Sequence, residues 1–148
     1  MPSVHHRFVA LALAVAVAGC VARTAPPEEA PAAFSGPIAV RGTVNYRQRV
    51  ALPPNAIVRV QLVDVARADA PARVLAAQVI AAEGGQVPFG FALEAPADAV
   101  TPSSRLTLQA RIEVDGQLRF INTAAYPLSP RTIAYPIEIV VEPVSAPQ

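Results

Sequence analysis

Leu106-Thr-Leu-Gln-Ala-Arg-Ile-Glu-Val114, then Asp115-Gly116, then Gln117-Leu-Arg-Phe-Ile-Asn122, is the stretch that decides the fold. Leu106, Leu108, Ala110, Ile112 and Val114 alternate without fault with Thr107, Gln109, Arg111 and Glu113. Side chains of an extended chain point to opposite faces in turn, so a period of two describes a strand with one buried and one wet face. Asp-Gly is well suited to the positive φ angles of a type I′ turn. The segment therefore reads as a β-hairpin, with Leu118 and Phe120 of the return strand directed inward.

The same period extends outward in both directions. Ile38, Val40, Val44 and Tyr46 alternate with Ala39, Arg41, Thr43 and Asn45, and Val58, Val60 and Leu62 alternate with Arg59 and Gln61. Ile57, Val63 and Val65 indicate that the second face of that strand is partly covered. Arg73 to Ala81 is apolar on both faces, which leaves its orientation open. Val87, Phe89, Phe91 and Leu93 line one face of a further strand, but Pro88 lacks a donor and Gly90 a side chain, the signature of an edge or bulge. Leu52-Pro53-Pro54-Asn55 is a turn, with proline presetting φ and asparagine tolerating the left-handed region. Ile137, Ile139 and Val141 form a last strand. Beyond the leader no segment sustains a 3.6 period, so the expected fold is all-β: an antiparallel β-sandwich of about seven strands.

At the other end of the chain, Phe8 to Ala18 is an unbroken apolar run of eleven residues behind Arg7. A membrane-spanning helix needs about 20 such residues, so this run fits the core of a signal peptide. It ends in Val17-Ala18-Gly19-Cys20, and Cys20 is the single cysteine. The small residues suit a signal peptidase, and an unmodified lone thiol would be a liability in an oxidising compartment. The sequence resembles the lipobox of bacterial lipoproteins, which implies acylation of Cys20. Two or more acyl chains anchor stably where one does not. The resemblance implies three, and Val21 in place of an aspartate favours the outer membrane, periplasmic side. The chain thus divides into residues 1–19 (signal peptide), 20–37 (lipidated cysteine and a Pro/Ala-rich tether), 38–142 (the sandwich) and 143–148 (a tail). Extended as polyproline II at about 3.1 Å per residue, the tether could hold the domain roughly 50 Å from the lipid.

Composition removes several functions. The chain without its leader has 129 residues, eleven arginines, eleven carboxylates and no lysine. The arginines are scattered, with no run dense enough to track phosphates, so no nucleic-acid partner is expected. His5 and His6 leave with the leader, which removes Ser-His-Asp and Cys-His catalysis and most transition-metal sites. Glu113 and Asp115 flank a turn, Glu138 and Glu142 lie near the C-terminus, and Gly84-Gly85 lacks a following lysine or helix. No catalytic, metal or cofactor residue is assigned. The only non-protein group expected is the lipid on Cys20, and an enzyme is not expected.

Gly42-Thr-Val-Asn-Tyr-Arg-Gln-Arg-Val-Ala-Leu-Pro-Pro-Asn55, Leu62-Val-Asp-Val-Ala-Arg-Ala-Asp-Ala-Pro71, Gly85-Gln-Val-Pro-Phe89, Ala110-Arg-Ile-Glu-Val-Asp-Gly-Gln-Leu-Arg-Phe120 and Thr123-Ala-Ala-Tyr-Pro127 together resemble the YbaY/YscW lipoproteins. The resemblance covers about residues 38 to 142. It departs at Asn55, where glycine is usual, and at Asn122-Thr123-Ala124, where a further acidic residue is usual. It implies a β-sandwich on a lipid tether. The family includes pilotins, which bind an outer-membrane secretin and assist its assembly, and envelope lipoproteins with no secretion partner; this sequence is more similar to the second group.

Tyr46, Arg47, Arg49, Asp64, Arg67 and Tyr126 lie in the resembling segments and are the candidate partner-binding residues, with Asp69 beside them. Arginines and aspartates of this kind also pair across strands or fix turns, as Asp69 before Ala70-Pro71 is placed to do. Tyrosine and arginine are enriched in binding hot spots. The exposed edge at Val87 to Phe91 is a second candidate surface, for strand addition. The expected function is a non-enzymatic, membrane-anchored binding or assembly module. Its partners are the bilayer and an outer-membrane or periplasmic protein.

Overall fold

A computed structural model describes residues 33, 34 and 36–144. The signal peptide, Cys20, most of the tether and residues 145–148 of the tail lie outside the described residues. Eight strands follow one another: β1 (Ile38–Asn45), β2 (Ile57–Asp64), β3 (Arg73–Ala81), β4 (Phe89–Ala95), β5 (Leu106–Val114), β6 (Gln117–Ile121), β7 (Ile137–Val140) and β8 (Glu142–Pro143). Two short 3₁₀ turns, Ala97–Ala99 and Thr132–Ala134, are the only helical elements among the described residues. One sheet has the order β4-β1-β7 and the other β3-β2-β5-β6-β8.

The alternating apolar residues meet between the sheets. Val40, Val44, Val58, Val60, Leu62, Leu108, Ile112 and Ile139 are at most 1% exposed. Burying each such side chain contributes about 1.5–3 kcal/mol, which offsets the entropy of ordering the strands. Phe34, in the last part of the tether region, packs against this core as well. The hairpin forms as its sequence requires: Asp115 and Gly116 have φ of 53° and 73°, the two positive angles of a type I′ turn.

The structure differs from the sequence reading in four places. Leu118 is 39% exposed while Phe120 is buried. A register shift sets Ile112 opposite Phe120 but Glu113 opposite Leu118, so Arg119 is an extra residue and the alternation reverses there. A similar shift pairs Leu62 with Ala76 and Val63 with Val74, skipping Leu75. This irregularity accounts for the two-faced look of β3, an edge strand with no fully buried residue. Not all pairing is antiparallel, since β7 runs parallel to β1. The final predicted strand is divided, because the chain leaves one sheet after Val140 and enters the other at Glu142, with buried Val141 at the crossing. Finally, Asn55 does not take a positive φ. The turn closes by Ala56 N–H donating to Pro53 O, and the Asn55 amide donates to the Asp115 carboxylate.

Gly42 is where β1 must be a glycine. A Cβ there would come within 1.9 Å of the Ile137 carbonyl oxygen and 2.9 Å of the Phe91 ring. The close parallel approach of β7 depends on that missing atom. At the opposite edge, β4 is a border strand as Pro88 and Gly90 suggested, and its Ala92 N–H donates to Gln78 Oε1 of β3 at 2.8 Å. One side chain thus bridges the two sheets where no backbone ladder joins them.

Candidate partner-binding site

The sandwich has two ends, and the polar candidates divide between them. β1 begins at Ile38 opposite Ala95, on the side where Arg73 bonds the carbonyl of Ala99 and pairs with Asp64. The segment just before β1, read from the sequence as the end of a tether, therefore enters at the Asp64 end. β1 then crosses the domain, about 25 Å for eight residues, to Asn45 and Tyr46.

At the tether end, Asp64 closes β2 and organises two loops. Its Oδ1 accepts from Ala66 N–H at 3.0 Å and Arg105 N–H at 2.9 Å, and its Oδ2 lies 3.6 Å from Arg73 Nη2. Burial opposes its charge, but the Ser104 hydroxyl, the two amides and the Arg73 guanidinium outweigh that and hold its pKa below the usual aspartate value. Asp64 is thus a turn-fixing carboxylate. Arg67 and Asp69 are exposed on the loop beyond it, with no ion pair to each other or to any described residue.

Tyr46 is 6% exposed, and its ring stacks on Phe120 with centroids 5.0 Å apart. Its hydroxyl donates to Val50 O at 2.7 Å and lies 3.2 Å from Gln86 Oε1, an atom that also accepts from Leu52 N–H. Tyr46 therefore fastens the Arg47–Pro53 loop to the core. Tyr126 is half-buried, and its hydroxyl accepts from Val140 N–H at 2.8 Å, tying the segment beside β5 to the end of β7. Both tyrosines carry structural hydrogen bonds, a use that residue type alone did not reveal.

Asn122 is the functional-looking residue with the least visible role in the sequence. Where the chain bows away from β5, its Oδ1 accepts from Ala110 N–H at 2.7 Å and its Nδ2 donates to Ala124 O at 2.9 Å. The side chain stands in for a missing ladder residue and leaves a notch of about 280 Å³ on the outer sheet face. The two guanidiniums at that notch, Arg59 and Arg111, share Glu113 at 3.2 and 2.8 Å. All three side chains are half-buried, and ion pairs still reached by solvent contribute only about 0–1 kcal/mol, so the cluster is a modest feature.

Arg47 and Arg49 are exposed on the loop that Tyr46 anchors, and Arg119 is exposed on β6 across from it. None of the three makes an ion pair among the described residues. Between that loop and β6 lies a groove of about 670 Å³, lined by Val50, Leu52, Pro53, Leu118, Phe120 and Val144 with Gln48, Gln117 and Arg119 at its polar margin. Of these three arginines only Arg119 lines the groove; Arg49 is exposed on the adjoining loop, and Arg47 lines a neighbouring cleft that Glu142 shares. Arg119 went unnoticed because the bulge that frees it has no sequence signature.

Fold and groove define a class: a small two-sheet β-sandwich that offers an open surface groove, with its tether attached at the opposite end. Known proteins are similar to this chain in sequence and fold. The YscW family, described as type III secretion system lipoprotein chaperones, matches residues 37–134. The uncharacterized lipoprotein YbaY of Escherichia coli is 42% identical over 135 residues, covering 83% of this chain and 70% of that protein. An alternative pilotin from the type II secretion system of Vibrio cholerae superimposes with a TM-score of 0.64 at 41% identity, over 72% of this chain and 97% of the pilotin. The chain belongs to the YscW family.

Proposed function

We propose that this protein is a membrane-anchored lipoprotein whose sandwich binds a protein of the cell envelope in the manner of a secretion pilotin, without catalysis. The observation that carries the reading is the likeness to the Vibrio cholerae pilotin, which extends over nearly the whole of that protein. Cys20 would supply the anchor, with acyl chains in the outer membrane and the domain in the periplasm. Confinement to a surface raises the effective concentration of the domain near other membrane proteins. The anchor is thus part of the mechanism, as it places the groove where an assembling membrane protein arrives.

Two measurements test it. Labelled fatty acid should be incorporated into the wild type and not into Cys20→Ser; a labelled serine variant refutes the anchor. In cells lacking the protein, an outer-membrane secretin should fail to form its detergent-resistant multimers, and Cys20→Ser should not restore them. Unchanged multimers would support the other branch of the family, an envelope lipoprotein with no secretion partner.

A further inference from the structure

We propose that the groove between the Arg47–Pro53 loop and β6 takes a segment of a partner protein that carries carboxylates beside apolar side chains. The inference rests on the partner-binding reading above and names the surface and the chemistry it would use.

Three observations converge on it. Among the described residues, three of the large apolar side chains left in water are Val50 at 50%, Val144 at 42% and Leu118 at 39%, and all three line this groove. The comparable groove at the tether end, beside Arg105, has only Val65 of that set. Clustered exposed apolar surface rimmed by polar groups marks an interaction site more than scattered residues do. Second, the lining holds one charge, Arg119, and no carboxylate, while Arg47 and Arg49 ride on the adjoining loop. Of the acids beside the groove, Asp115 and Glu142 are hydrogen-bonded by Asn55 and Thr123, and Glu113, in register with Leu118, is paired with Arg59 and Arg111, so none of the three is ion-paired to Arg47, Arg49 or Arg119. A planar guanidinium matches a carboxylate with two parallel hydrogen bonds, so the surplus of arginine selects an acidic partner. Third, the floor is rigid, because Phe120 is stacked on Tyr46 and Tyr46 is bonded to Val50. A preformed surface loses less entropy on binding.

The residues that follow Val144, Ser145-Ala-Pro-Gln148, include no carboxylate side chain and so do not match the arginines. The groove also lies at the end of the domain away from the tether. A partner can therefore reach it without entering the space between domain and bilayer.

The test uses the full-length protein in its own cells, with the photo-crosslinker p-benzoylphenylalanine placed at Leu118, at Val50 and, as a control on the other sheet, at Ala39. Adducts from Leu118 and Val50 should fall on one protein, in a segment where at least two Asp or Glu residues flank apolar ones. Combining Arg47→Glu, Arg49→Glu and Arg119→Glu should lower the adduct yield about tenfold, which corresponds to about 1.4 kcal/mol. Arg41→Glu with Arg105→Glu should not lower it. All these positions are exposed, and an unchanged thermal midpoint verifies folding. The proposal is overturned by adducts in a segment without acids, adducts on residues 145–148, equal yield from Ala39, insensitivity to the charge reversal, or no adduct at Leu118 and Val50. A groove adduct to a protein other than a secretin would leave the groove standing and refute the pilotin role. A secretin adduct confined to Ala39 would do the reverse.

Discussion

Asp64 and Arg47 look alike in the sequence, each a charged residue at or just beyond the end of a strand, yet the two ends of the sandwich use them differently. At the tether end Asp64 gathers two backbone amides, a hydroxyl and a guanidinium, and its charge is consumed by the fold. At the far end the structural work falls to neutral groups, the Tyr46 hydroxyl and the Gln86 amide, and the charges of Arg47, Arg49 and Arg119 stay in water. A satisfied charge holds loops in place; an unsatisfied one on the surface is available to a partner. The comparison separates residues that the sequence had placed in a single group.

It can be broken at several points. Tyr46→Ala should have the largest effect, a loss of about 3–5 kcal/mol in denaturant unfolding, since it deletes a core aromatic and releases the far loop. A surface role for the ring would instead leave stability unchanged. Gly42→Ala, midway between the ends, should lose about 3 kcal/mol because the new methyl group meets a backbone carbonyl that cannot swing aside. Asp64→Ala should lose about 2 kcal/mol, as two amides lose their acceptor.

Asp64 also predicts a pH dependence. Its folded pKa is lowered, so it binds a proton less readily in the folded than in the unfolded chain. Its contribution is complete at neutral pH, begins to fade near the unfolded value of about 3.9, and is lost as the pH falls through the lower folded value. The stability difference between pH 7 and pH 3 should therefore shrink in Asp64→Asn. An identical difference in wild type and variant would show that the carboxylate is not the group responsible. The smallest effect should come from Arg47→Ala combined with Arg49→Ala, within about 0.5 kcal/mol in unfolding. A larger loss would mean that these arginines serve the fold and that the two ends do not differ.

Much of the architecture was legible because alternation is a local property. β1, β2, β5 and the Asp115-Gly116 turn follow from side chains two residues apart, with no knowledge of their neighbours. Leu118 was misread because a bulge is a relation between two strands, and Arg119 is extra only with respect to Ile112 and Glu113. The parallel β1–β7 pair was invisible for the same reason: Gly42 reads as a weak strand residue until Ile137 is seen against it. The site was harder still. Tyr46 and Tyr126 stood out by type, but whether a hydroxyl faces a partner or a neighbouring amide depends on the chain some 4 to 14 residues away. Residue type identified chemistry, and only the fold assigned it to an end.

The amide of Gln78 has a meaning beyond local bonding. Bare strand edges, with their unpaired N–H and C=O groups, are the places where one protein molecule can pair with another. By occupying the Ala92 N–H, with Pro88 just upstream lacking a donor of its own, Gln78 takes a hydrogen-bond donor away from that edge. Gln78 thus joins the two sheets and at the same time fills one hydrogen-bonding position on the β4 border.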